Sequence, residues 1–192
     1  MMNRSLWIQP LAVLALTTTG LAGANSLPVP TVDYSATRVI ESKPGPFVSK
    51  IYVSEGKERS ETTVGEKQMI TIIRPDKNIA WILMPATKTY QEVGVETAVS
   101  YSHQQLFPEG EFKKLAQETL DGIKATRYQV LQSKAPAGSL WLSEEGIPLK
   151  AEKAADEVLG LPPISLRLQD VQVGKQDAAL FELPAGYQKF VK

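Results

Sequence analysis

The chain has 192 residues, 21 Lys plus Arg against 21 Asp plus Glu, a single histidine and no cysteine. Balanced charge argues against a nucleic-acid partner, which needs a basic face. The missing thiol excludes disulfides, Cys-ligated metal and cysteine nucleophiles, and one histidine makes no His-rich metal site, so neither a cofactor nor a metal is expected.

Met1-Met2-Asn3-Arg4 is a short basic start, Leu6 to Leu16 is an apolar run broken by Pro10, and Ala22-Gly23-Ala24 puts small residues where a signal peptidase reads. This is the layout of a cleaved secretory signal, residues 1–24, followed by one domain, residues 25–192. The alternative is a membrane anchor, which needs about 20 apolar residues, more than this run supplies. Leu21-Ala22-Gly23 would begin a lipidation box if cysteine stood at position 24. Ala24 stands there instead, so the exported product is expected to be free in the periplasm.

Strand signals dominate after Pro28 and Pro30. Tyr34 to Glu41 and Phe47 to Ser54 are rich in β-branched and aromatic residues and are separated by Lys43-Pro44-Gly45-Pro46. Lys57 to Val64 is polar on both faces and fits an edge or rim. Val64-Gly65-Glu66-Lys67 turns it into Gln68 to Arg74. Pro75-Asp76-Lys77-Asn78 is a turn with preset geometry leading to Ile79 to Met84, and Lys88 to Glu92 follows. Val95 to Phe107 reads as a short helix or a loop. Glu109 to Thr119 fits a helix through Phe112, Leu115 and Ala116, yet it leads into Asp121-Gly122, a hairpin pair. Ile123 to Gln132, Leu140 to Ser143, Pro148 to Lys153, Ile164 to Val173, Ala179 to Leu183 and Tyr187 to Val191 complete the strands, with a loop at Ser133 to Gly138. The spacing of about 8–12 residues predicts a β-meander of about nine to eleven strands.

Both faces are apolar in Met69-Ile70-Thr71-Ile72-Ile73 and in Ile79-Ala80-Trp81-Ile82-Leu83-Met84, which implies a curved sheet covered on both sides. The candidate apolar lining is Met69, Ile73, Ile79, Trp81, Leu83 and Trp141. It is either an ordinary core or the wall of a cavity for a hydrophobic ligand. Catalytic candidates are sparse. His103 is the one possible histidine base, no Gly-x-Ser-x-Gly accompanies it, and Glu144-Glu145 and Glu109/Glu111 sit in turn-like sequence. No phosphate-binding glycine motif is present. The residues point to a protein that is not an enzyme.

Several stretches carry a resemblance. Leu168-Gln169-Asp170-Val171-Gln172-Val173-Gly174 precedes Phe181-Glu182-Leu183-Pro184-Ala185-Gly186-Tyr187; Leu140-Trp141-Leu142 leads through Glu144-Glu145-Gly146 to Pro148; and Leu120-Asp121-Gly122-Ile123 continues to Tyr128. This ending and these turns resemble the LolA/LolB lipoprotein-carrier superfamily, in an uncharacterised outer-membrane lipoprotein-sorting-like branch. The resemblance implies a mostly β fold: a single curved antiparallel sheet forming an incomplete half-barrel, with little helix as lid. It also implies a periplasmic, non-catalytic carrier for an acyl chain or other lipid-like ligand, with an envelope membrane protein as a further partner. The alternative is a structural or interaction module of an envelope complex, with a filled core and no ligand. N-terminal sequencing of the exported protein is expected to begin at Asn25; retention of the uncleaved chain in the membrane fraction would count against the signal.

Overall fold

The computed structural model describes residues 28–41, 45–98, 107, 110–156, 160 and 162–190. The expected signal segment and His103 lie outside them. Strands β1 (Tyr34–Glu41), β2 (Phe47–Ser54), β3 (Lys57–Val64), β4 (Lys67–Arg74), β5 (Ile79–Met84) and β6 (Thr89–Val93) are followed by one helical turn, Val95–Ala98. Then come β7 (Glu111–Leu120), β8 (Ile123–Gln132), β9 (Ala135–Ser143), β10 (Pro148–Lys153), β11 (Ile164–Val173) and β12 (Gln188–Lys189). All twelve belong to one open sheet in the order β12-β6-β5-β4-β3-β2-β1-β11-β10-β9-β8-β7. The mostly β, open sheet implied by the resemblance is present.

Several details differ from the sequence expectation, beginning with the strand count among the described residues, twelve against about nine to eleven. The segment read as a possible helix is the edge strand β7: pairing with β8 across Asp121-Gly122 overrides its helical spacing, burying Phe112 and leaving Leu115 exposed. The expected loop at Ser133 to Gly138 is largely strand, with Pro136 tolerated where the β8–β9 register shifts. Ala179 to Leu183 forms no strand; Ala178–Phe181 is a 3₁₀ turn capped by the Asp177 carboxylate, which accepts from the Ala179 amide at 2.9 Å. Finally, β12 runs parallel to β6, so the sheet is not wholly antiparallel.

Curvature follows from pairing irregularities and from a contact across the sheet. The register shifts in the β1–β11, β9–β10, β7–β8 and β8–β9 pairs, and such bulges bend strands. Arg167 of β11 reaches Asp121 in the β7–β8 turn at 2.6 Å. Two strands separate β8 from β11, a flat distance of about 14 Å, so the salt bridge forms because the hairpin curls over the sheet.

The concave face is filled along β8–β11, β1 and β2. Leu140, Leu142, Leu149, Leu166 and Leu168 are at most 4% exposed, and Phe107 packs among them. Gly138 makes this possible: a Cβ there would stand 2.1 Å from the Glu152 carbonyl oxygen and 2.7 Å from the Phe107 ring.

The convex face of β4–β6 is covered by the C-terminal segment. Phe181, 1% exposed, inserts among Ile70, Ile72, Trp81 and Leu83, with Leu180, Leu183 and Tyr187 around it. Arg74 holds this strap. Its guanidinium donates to both Asp76 oxygens at 2.8 and 2.7 Å, to the Phe181 carbonyl at 3.1 Å and to the Glu182 carboxylate, which also accepts from Lys77 at 3.1 Å. Arg59 donates to the Leu180 carbonyl at 3.2 Å. These two arginines satisfy carbonyls that a strand would have paired with a neighbour, so the segment can turn and aim Phe181 inward.

Hydrogen bonds from Arg74 hold Asp76 down to about 2 and, with those from Lys77, keep Glu182 below the usual carboxylate range. A depressed folded pKa contributes stability above the unfolded value, about 4, and that contribution is lost as pH falls toward the folded value. Thermal melting from pH 7 to pH 2 should therefore show wild type well above Arg74→Met at neutral pH. The gap should narrow between about pH 4 and pH 2; a gap independent of pH would show that these ion pairs do not hold the strap.

Candidate functional site

The pleat sends alternate residues to opposite faces, and the register aligns them across strands. On the concave side one row runs Ile51–Ser60–Thr71–Ile82, the next Arg38–Ser49–Thr62–Met69, and a third Tyr34–Val53–Glu58–Ile73–Ala80. From these rows Arg38, Ser49, Glu58, Ser60, Thr62 and Thr71 form the floor of an open groove of about 230 Å³ over β1–β4, edged by Ile40, Phe47 and Val64 and bounded by Ala98 of the helical turn. Phe47 and Val64 are exposed at its rim.

The groove is two-sided in its chemistry. Its walls are apolar: Ile40, Phe47, Val64, Met69 and Ile73. Its floor carries hydroxyls, of which Ser49 and Thr62 bond each other at 2.7 Å. Ser60 and Thr71 lie opposite each other, half-buried, and among the described residues their hydroxyls have no hydrogen-bond partner. Arg38 is 7% exposed and donates from Nη1 to Glu58 at 2.8 Å, bridging over β2, while its Nε has no partner. Arg38 and Glu58 are the two charged residues of the lining, and they are paired. Beside them Tyr34 is buried, and desolvation first, then the Glu58 charge, push its phenol far above the usual range. Among the described residues no group of three or more His, Cys, Asp or Glu side chains converges as a metal site would require.

The six candidate lining residues do not share one surface. Met69 and Ile73 line the groove. Ile79, Trp81 and Leu83 face the other way, in the packed cluster beneath Phe181. Ile72, not Ile73, pairs with Trp81, so the groove side of β5 carries Ala80 and Ile82. Trp141 is also remote: Arg127 and Lys150 stand 4.9 and 4.5 Å from its ring centre, and its indole N–H donates to Glu118 at 2.8 Å. A one-residue change of register exchanges the two faces, and apolar residues on both faces left the choice open.

The sequence reading passed over Arg38, Ser49, Glu58, Ser60, Thr62 and Thr71. The signal was β3, polar on both faces and read as an edge or rim. It lies inside the sheet, paired to β2 and β4 along its length. Its convex side serves the strap through Arg59 and Glu61, and its concave side, Glu58, Ser60 and Thr62, floors the groove.

The family described as "Domain of unknown function (DUF4412)" matches residues 41–152. No curated protein matches the sequence. Among solved structures, an uncharacterised conserved protein from Thermus thermophilus is similar over 83% of this chain and 90% of its own, at 13% identity and TM-score 0.58. That likeness concerns the fold. More distant are MucB in the Pseudomonas aeruginosa MucA/MucB complex and a LolA superfamily protein from Nitrosomonas europaea. The first has 16% identity and TM-score 0.49, over 81% of this chain and 56% of its own. The second has 11% identity and TM-score 0.43, over 81% and 92%. The chain thus spans little more than half of that MucB.

The two faces should respond differently to substitution. Leu83→Gln strands an amide in a filled cluster and should cost about 3–5 kcal/mol. Thr71→Val removes a hydroxyl without a partner and should change stability by less than about 0.5 kcal/mol. Chemical denaturation of both variants checks this; equal losses would mean that the groove is a closed core.

Proposed function

The chain belongs to the DUF4412 family, and from that premise we propose that it is an exported, non-catalytic binding protein of the periplasm whose concave groove shelters the apolar part of an amphiphilic, lipid-like ligand. The observation that carries this reading is the uneven filling of the concave face. Large apolar side chains pack β8–β11 to near-zero exposure, joined by Tyr34 and Ala36 of β1 and Ile51 of β2, whereas toward Ser49, Ser60, Thr62 and Thr71 of β2–β4 the same face has small hydroxyl residues beneath apolar walls and remains open. A volume of about 230 Å³ falls below the range of about 300–1,000 Å³ common for ligand pockets. The groove therefore holds part of a ligand, and the remainder passes the exposed rim at Phe47 and Val64.

Each buried methylene is worth roughly 0.8 kcal/mol, so even a short stretch of acyl chain supplies useful affinity. The sparse catalytic residues and the resemblance to a carrier superfamily support binding without catalysis. Transport out of the cytoplasm rests on the signal-like segment 1–24.

Nile red, an uncharged apolar fluorophore, should bind the purified protein with a blue-shifted emission. Ser60→Phe places a ring in the groove and should abolish that binding without lowering Tm. Binding unchanged in Ser60→Phe, or none in wild type, would favour the filled structural module instead.

A further inference from the structure

Resting on that reading of the groove, we propose that its ligand presents an uncharged hydrogen-bonding group, an ester, amide or alcohol, to Ser60 and Thr71, and that acyl carboxylates are disfavoured. The hydroxyls are the first reason. Ser60 and Thr71 face each other across the β3–β4 pair, half-buried, without hydrogen-bond partners among the described residues. A hydroxyl both donates and accepts, so two of them side by side suit a carbonyl or an alcohol. A purely hydrocarbon occupant would cover both and leave them unsatisfied, which is costly.

The charges are the second reason. Arg38 is the lining's cation, and its charge is already met by Glu58 at 2.8 Å. A carboxylate brought to this end of the groove meets Glu58 as well as Arg38 and gives up its hydration for a pair with no net charge. The desolvation of an anion is then uncompensated. An acid could instead leave its head at the mouth near Lys67, which is exposed and lies opposite Val64. Its hydrocarbon would then rest on Ser60 and Thr71, the arrangement the hydroxyls oppose.

Competition against Nile red tests this with three ten-carbon ligands at pH 8: decanoylglycerol, decanoate and decane. Decanoylglycerol should displace the dye at about one tenth of the concentration needed for either of the others, the value of about one net hydrogen bond. In Ser60→Ala/Thr71→Val that advantage should fall to within about twofold, with Tm unchanged or raised, because no partnered group is lost. Decanoate matching decanoylglycerol in wild type, or an advantage that survives the double substitution, would overturn the assignment while leaving the groove a lipid site. If none of the three displaces the dye, the groove itself is not the site and both readings fall.

Discussion

An open sheet cannot bury both of its faces against itself. Among the described residues, twelve strands in one layer with little helix to cover them leave two broad surfaces to be protected from water, and much of what the other described segments do answers that demand. On the convex side of β4–β6 the answer is the chain's own C-terminus. Phe181 supplies the apolar contact, and Arg74 makes the contact permissible by taking the backbone and carboxylate oxygens brought in with it. Arg74 is buried, yet its charge is met by Asp76 and Glu182, so its desolvation is compensated. Without such a partner, a turn crossing the sheet would bring unpaired carbonyls against a hydrophobic surface.

The concave side is answered in two ways. Along β8–β11 and β1, curvature brings large aliphatic residues into one packed cluster, tight enough to require Gly138 beside Phe107. Over β1–β4 the same face runs into Ser49, Ser60, Thr62 and Thr71, which are too small to meet across the bend and too polar to be left dry. The boundary lies at Arg38 and Glu58, whose ion pair bridges over β2 beside buried Tyr34. A pair of this kind gives little net stability and marks the place where the core ends. The groove is thus a consequence of residue size as much as of fold: isoleucines in place of the hydroxyl residues would extend the core to the rim.

Much of the secondary structure was legible from the residues alone. Period-two alternation and the turn chemistry of Pro75-Asp76, Asp121-Gly122 and Glu145-Gly146 placed most strands, because these are local properties of short segments. The Phe-x-Leu-Pro ending and the Gly-x-Pro turn carried the resemblance to the LolA/LolB superfamily. Alternation cannot say which face turns inward when both are apolar, as in Met69–Ile73 and Ile79–Met84. That choice was made by the strap: once Phe181 occupied the convex face, Ile72, Trp81 and Leu83 belonged to it, and Met69 and Ile73 were left to the groove. The polarity of β3 was plain in the sequence, but its meaning depended on position. At an edge it would have kept other chains from pairing there; inside the sheet it is the floor of a site, and its neighbours β2 and β4 decide between the two. Partners as distant as Arg74 and Glu182, 108 residues apart, are set by tertiary packing, since no local preference couples positions so far apart.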